Sequence, residues 1–282
     1  MTRVNLDGLQ SFYALNNARQ IPLLGLGVFK IEPGKATEDA VLWALQAGYR
    51  HIDTAAVYRN EVSVGNAIRK SGIPRDQIFV TTKLFDSDQG YDSALEACEL
   101  SLEKLGLDYV DLYLIHSPNP GPERRNESWK ALQKLVAQGK VKSIGVSNYG
   151  VHHLKELLGS NPTIRPVVNQ IEVHPWLTRQ EIVSFCESQH IAVQAYSPLS
   201  RGHKLQDPML IKIGAKYSKS PAQILIRWSL QKGYIVLPKS SHKNRIEQNA
   251  DVFDFDIADG DMSVLDSFNS DYVSGWDPTV AP

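Results

Sequence analysis

Cysteine is nearly absent. Cys98 and Cys186 are the only two in 282 residues, they lie far apart, and neither belongs to a CxxC pair, which excludes a disulfide framework and a cysteine zinc site. A reducing compartment follows as the expectation, namely the cytoplasm with or without a nuclear pool. An excess of charge of either sign is also missing: 30 Lys+Arg against 31 Asp+Glu leave a formal charge of −1. That balance gives no electrostatic reason to expect nucleic acid or an anionic membrane as a partner. No stretch reaches the roughly 18 apolar residues of a membrane span, and residues 1–8 lack the apolar run of a signal peptide. There is no Gly/Ser/Pro-rich linker, charge block or short repeat to divide the chain, so residues 1–282 are expected to form one domain.

What is present is a rhythm. Short runs rich in Val, Ile, Leu and Tyr alternate with longer segments of helical periodicity. Eight strands are expected at 23–28, 49–53, 78–82, 110–116, 143–147, 168–172, 192–197 and 235–238. Helical patterns fall at 37–46, 93–105, 128–138, 179–189 and 221–231, several starting on Ser, Thr or Pro and followed by Gly, and another at 243–250. Ahead of the first strand, Asn16-Asn17 between two apolar stretches predicts a hairpin capping one end of the sheet. The count, order and length suit an α/β fold of the (β/α)8 TIM-barrel type with an N-terminal β-hairpin and a C-terminal extra helix and loop. A doubly wound open sheet is the competing arrangement.

The polar residues at the strand ends favour the barrel, because barrel enzymes assemble their sites there. The second strand ends in Asp53 with Tyr58 beyond it, the third in Lys83 and the fourth in His116. Next come Ser147 and Asn148, then Gln170, Glu172 and His174, then Tyr196 and Ser197, and finally Lys239 and Ser240. One such residue means little; seven endings converge on one rim. A phenol is a poor acid at neutral pH, but a nearby ammonium stabilises its conjugate base and lowers its pKa. Lys83 can do this for Tyr58, Asp53 can keep Lys83 charged, and His116 can donate a hydrogen bond to a carbonyl oxygen. Together they describe a site that protonates an oxygen gaining negative charge.

The segments "LGLGVFK", "GYRHIDTAAVYRNE", "VTTKL", "DYVDLYLIHSP", "GKVKSIGVSN", "VVNQIEVHPW", "VQAYSPL", "LPKSSHKNRIEQN" and "GWDPT" resemble, in order, the motifs of the aldo-keto reductase superfamily over about residues 21–279. The resemblance implies an NADPH-dependent alcohol:NADP+ oxidoreductase without metal, acting as a monomer on small carbonyl compounds, with Tyr58 as general acid. It assigns Lys239 and Arg245 to the adenosine 2′-phosphate and stacks Tyr196 on the nicotinamide. It also gives Ser147, Asn148 and Gln170 to the carboxamide, Asp53 to the ribose, Ser197 and Leu199 to the pyrophosphate, and Gln248 and Asn249 to the adenine. Ser240 and Ser241 add donors beside the phosphate. Rossmann-type binding has no support of its own, since Gly25 and Gly27 begin a GxGxxG pattern but Lys30 stands at its third glycine.

For substrate, Phe29 supplies an aromatic wall beside Tyr58 and His116, and Ser117 stands where many animal relatives carry Trp. With a short loop at 119–125 and a short tail after Trp276, the pocket is expected to be open and to take varied aldehydes and diketones.

Simpler roles stand beside these. Tyr58 and His116 could be packing residues, Asp53 and Lys83 a structural ion pair, and Lys239 and Arg245 solvated charges at a helix start. Glu172 and His174 lack a third metal ligand at recognisable spacing, Cys98 and Cys186 read as helix-face residues packed on the barrel, and His51 as structural. Two other functions compete: a lyase using Lys83 as a Schiff base, and a cofactor-binding regulatory subunit. A Schiff-base lysine must be neutral when it attacks, whereas Lys83 has a counter-ion in Asp53.

Overall fold

The computed structural model describes residues 6–282; residues 1–5 of the opening stretch lie outside the described residues. Strands β1 (Phe12–Ala14) and β2 (Gln20–Pro22) form the expected antiparallel hairpin, with Tyr13 opposite Ile21. Its turn is tied to the bottom of the barrel: Asn16 donates to the Pro166 carbonyl at 2.9 Å and Asn17 to the Ser143 hydroxyl at 3.0 Å. Buried Leu15, Ile21 and Leu23 plug that end.

Eight parallel strands follow: β3 (Leu26–Gly27), β4 (His51–Asp53), β5 (Phe79–Leu84), β6 (Val110–Ile115), β7 (Val141–Ser147), β8 (Val168–Glu172), β9 (Ala192–Tyr196) and β10 (Ile235–Leu237). Each pairs with its neighbours in chain order. The ring is joined where Val236 N–H donates to Leu23 at 2.7 Å, Gly25 N–H to Val236 at 2.9 Å and Gly27 N–H to Pro238 at 3.0 Å. Gly25 serves this packing: a Cβ there would stand 2.7 Å from the His51 ring inside the barrel. The (β/α)8 fold of the sequence reading is the fold observed.

The outer layer is α1 (Lys35–Gln46), α2 (Glu61–Ser71), α3 (Tyr91–Leu105), α4 (Pro122–Ala137), α5 (Val151–Gly159), α6 (Gln180–Ser188), α7 (Pro208–Lys216), α8 (Pro221–Gln231), α9 (Lys243–Ala250) and α10 (Asp259–Asp266). Two helices, α7 and α8, fill the connection between β9 and β10; α9 is the helix expected at 243–250, and α10, which the sequence reading did not mark, follows it. Cys98 on α3 and Cys186 on α6 are fully buried, and burial pushes both thiols up to about 12. Thr37, Ser93 and Ser128 prove to lie inside helices; α1, α3 and α4 start on Gly34, Gly90 and Gly121. Those glycines enter the helix at φ values of 85°, 135° and 94°, where a side chain would strain the backbone. Among the described residues no helix is long and apolar enough to cross a membrane.

The C-terminal loop after α10 is anchored. Phe268 stacks on Trp176 at 5.1 Å, Arg179 pairs with Asp277 at 2.8 Å, and a 3-10 turn forms at Pro278–Val280. His152 and His153 both meet the Ala281 carbonyl at 2.8 Å, and Arg125 donates to Pro282 at 2.8 Å. This path carries Trp276 to the mouth of the barrel.

Candidate active site

The C-terminal ends of the strands open into one continuous cleft of about 990 Å³. Its residues come from nearly every strand end: Gly27 on β3 and Phe29 after it, Asp53 on β4, Phe85 and Asp86 after β5, and His116 after β6. Ser147, Asn148, Gln170 and Tyr196 follow round the rim, and Lys239, Ser240, Ser241, Arg245, Gln248 and Asn249 line the far end. A cleft of this size, mostly apolar with a few convergent polar groups, suits a large organic ligand.

Lys83 is fully buried beneath the cleft. Its ammonium donates to Asp53 Oδ1 at 2.6 Å, to the Thr54 carbonyl at 2.9 Å and to the Tyr58 hydroxyl oxygen at 3.4 Å. Since Lys83 donates to the phenol oxygen, the phenol hydrogen is left for a partner in the cleft. Burial pulls the Lys83 amine below its ordinary range, and the Asp53 carboxylate works against that fall. Three acceptors and zero exposure leave no access for a Schiff-base reaction at Lys83.

The expectation of a lowered Tyr58 pKa is not met. Burial, followed by the Asp53 carboxylate, pushes the phenol well above its usual value. The Lys83 ammonium still favours the phenolate, but it is shared with Asp53 and does not outweigh the loss of hydration. Tyr58 therefore holds its proton at neutral pH. Its ring packs against Phe29 at 5.0 Å and edge-on against His116 at 5.7 Å. Burial and, second, Lys83 hold His116 well below its ordinary pKa, so its imidazole is neutral. His116 Nδ1 is buried without a hydrogen-bond partner. An unpaired acceptor is tolerated better than an unpaired N–H, which places the ring proton on Nε2.

Next to this group the polar side chains are largely committed to one another. Gln170 donates its two amide hydrogens to Asp53 Oδ2 at 2.8 Å and Gln194 at 2.7 Å. Asn148 gives its own to the His116 carbonyl at 2.9 Å and Ser147 Oγ at 3.1 Å, and accepts from Tyr196 at 2.8 Å. Ser147 donates to the Gln170 carbonyl at 2.9 Å. What they still offer is oxygen lone pairs, an acceptor-rich face matched to the NH2 of a carboxamide. At the far end the sign reverses. Lys239 and Arg245 are exposed, and among the described residues neither has a carboxylate within 4.0 Å. Both stand beside the start of α9, where backbone N–H groups also favour an anion. One end of the cleft thus suits an amide and an aromatic ring on Tyr196, the other a phosphate, which fits a phosphorylated nicotinamide dinucleotide.

Ser117 does not join the site. It is fully buried, and its hydroxyl donates to Asp86 Oδ1 at 2.6 Å, behind the cleft wall. The cleft residues that the sequence reading missed include Val57, Phe85, Asp86 and Arg201. Phe85 and Asp86 follow Lys83 by two and three positions, so the strand-end rule could have found them. Ser220, Pro221 and Ala222 reach the cleft from the start of α8, far in sequence from any strand end, and nothing local marks them. The Glu172–His174 pair is a buried hydrogen bond of 3.1 Å, with Glu172 also accepting from Ser274 N–H at 2.9 Å. His51 is buried within the barrel near Pro22 and Thr81.

The family model described as "Aldo/keto reductase family" matches residues 24–207 and 203–270. The chain is 46% identical over 270 residues to glyoxal reductase of Bacillus subtilis, covering 96% of this chain and 97% of that protein. It is 48% identical over 267 residues to 9,11-endoperoxide prostaglandin H2 reductase of Trypanosoma cruzi, covering 94% and 93%. Among solved structures it is similar to an aldo-keto reductase from a deep-sea metagenome library of the Medee basin, with TM-score 0.91, 43% identity and coverage of 96% and 99%. It is also similar to a Bombyx mori aldo-keto reductase in complex with NADP, with TM-score 0.86, 40% identity and coverage of 93% and 94%.

Proposed function

Since the chain belongs to the aldo/keto reductase family, we propose that it reduces aldehydes and ketones to alcohols with Tyr58 as the proton donor. It is an oxidoreductase and its cofactor is NADPH/NADP+. When bound, the reduced nicotinamide supplies the hydride that the carbonyl carbon accepts.

The chain's own residues do the rest. His116 donates from Nε2 to the carbonyl oxygen and turns it toward Tyr58. Tyr58 gives up its proton as negative charge develops on that oxygen, and the Lys83 ammonium at 3.4 Å stabilises the phenolate left behind. Asp53, at 2.6 Å, keeps Lys83 protonated between turnovers. Ser147, Asn148 and Gln170 orient the carboxamide, Tyr196 supports the nicotinamide face, and Asp53 lies along its ribose. Ser197 and Leu199 follow the pyrophosphate; Lys239, Ser240, Ser241 and Arg245 hold the 2′-phosphate, and Gln248 and Asn249 flank the adenine. Phe29 walls the substrate beside Tyr58 and His116. In reverse, the same groups oxidise an alcohol.

The observation that carries the reading is the hydrogen bond from a buried, carboxylate-paired Lys83 to a phenol oxygen facing the cleft. Residues 1–282 act as one barrel domain and as a monomer, which size-exclusion chromatography checks. The test of function is a panel of aldehydes, α-ketoesters and diketones followed at the NADPH absorbance band and repeated with NADH. Broad turnover with NADPH is expected; no turnover of any member contradicts the reading.

A further inference from the structure

Among the described residues two carboxylates border the cleft, Asp53 and Asp86, and their surroundings differ. Asp53 is neutralised by Lys83 at 2.6 Å. Asp86 has neutral partners: the Ser117 hydroxyl donates to its Oδ1 at 2.6 Å and the Asn119 amide to its Oδ2 at 3.2 Å. Among the described residues, no Lys, Arg or His nitrogen stands within 4.0 Å of it. Lys30 also borders the cleft, but its ammonium rests 5.4 Å from the Phe29 centroid and forms no ion pair with Asp86.

Asp86 is anchored from behind. Fully buried Ser117 holds Oδ1, while the exposed Asn119 amide reaches Oδ2 at the surface, so one oxygen is tied to the barrel wall. Each oxygen retains a lone pair after these bonds. The same cleft is lined by the rings of Phe29, Tyr58, Phe85 and Trp276; Phe85, next to Asp86 in the chain, stands edge-on to His116 at 6.1 Å, which in turn meets Tyr58 at 5.7 Å. Ring faces carry negative potential, as a carboxylate does, and both attract cations. A negative charge without a counter-cation within 4.0 Å, lining the same aromatic-walled cleft as the proton donor, is complementary to a substrate's positive charge and repels an anion.

We infer that Asp86 makes this site selective for carbonyl substrates bearing an ammonium group. The inference rests on the reading of the cleft as a carbonyl reductase site, and it names the substrate class within it. Ser117 is the positioning residue for Asp86: it places the carboxylate and does not touch substrate.

The test uses two aldehydes of the same shape, betaine aldehyde, which carries a quaternary ammonium, and its neutral carbon isostere 3,3-dimethylbutanal. The quaternary group has no N–H, so a difference reports charge. The kcat/KM ratio of the charged to the neutral aldehyde is measured with NADPH in the wild type, Asp86→Asn and Ser117→Ala. Comparing ratios cancels intrinsic reactivity and general damage to the enzyme. Asp86→Asn is expected to lower the ratio by about tenfold or more and Ser117→Ala by a smaller factor, with the wild-type ratio falling as salt is raised. A ratio that changes less than about twofold in both variants overturns the inference and leaves the reductase reading standing. No turnover of either aldehyde by the wild type overturns both.

Discussion

Replacing Asp53 by Asn changes the shape of the barrel floor very little and its charge completely. The two Asp53 oxygens accept from different nitrogens, Lys83 Nζ at 2.6 Å and Gln170 Nε2 at 2.8 Å. An asparagine offers one oxygen and one NH2, so one of these donors must face another donor. The larger effect is on Lys83, which is fully buried and loses the carboxylate that opposes the fall of its pKa. Removing one member of a buried ion pair costs about 3–5 kcal/mol. At roughly 2 °C per kcal/mol for a chain of this size, the melting temperature drops by roughly 6–10 °C at pH 7.

The pH dependence separates this mechanism from general damage. In the variant, Lys83 folds with its pKa depressed further below the unfolded value of about 10.5. Between those two values the unfolded chain binds more protons than the folded one, so stability rises with pH there. The deficit of Asp53→Asn relative to wild type, read from urea midpoints, is therefore largest at pH 7 and smaller at pH 9.5. A deficit below about 1 kcal/mol at pH 7, or one that stays constant between the two pH values, refutes the reasoning.

Three other perturbations follow from named contacts. Ala for Gly inside a helix ordinarily gains about 1 kcal/mol. In α2, a Cβ on Gly65 would fall 1.9 Å from the Leu105 carbonyl oxygen, so Gly65→Ala is expected to lose about 1–3 kcal/mol in urea denaturation. Arg245→Ala removes a charged donor worth about 1.5–3 kcal/mol, so the NADPH KM rises roughly 10- to 150-fold while the NADH KM hardly moves. Equal effects on both cofactors contradict a 2′-phosphate role. Burial pushes His51 down to about 4, so its contribution to stability is complete above its unfolded pKa of about 6.5 and is lost as pH falls toward 4. That loss approaches about 1.4 kcal/mol per pH unit, and His51→Asn flattens the slope of stability against pH across this interval.

The barrel was legible because its strands are short apolar runs ending in polar residues, and all eight were located to within a few residues. The helix starts were less so. Ser and Thr are the usual capping residues, yet α1, α3 and α4 enter from Gly34, Gly90 and Gly121, and the nearby Thr37 and Ser128 turn their hydroxyls to carbonyls instead. Side-chain types at the rim pointed to Asp53, Tyr58, Lys83 and His116, which the fold brings together, whereas the burial that raises the Tyr58 pKa depends on packing that no sequence displays. Ser117 was misplaced for the same reason. Its position after His116 puts it near the cleft, but the rotamer that reaches Asp86 turns it out of the lining.

The central claim is that the Tyr58 phenol supplies the proton in an NADPH-dependent carbonyl reduction. Tyr58→Phe keeps the ring that packs on Phe29 and His116 and removes only the hydroxyl. Measured with NADPH and a reactive aldehyde, kcat is expected to fall by about 10²- to 10⁴-fold, the usual contribution of a positioned acid, while NADPH affinity by fluorescence titration stays within about twofold. A variant that turns over at close to the wild-type rate contradicts the account.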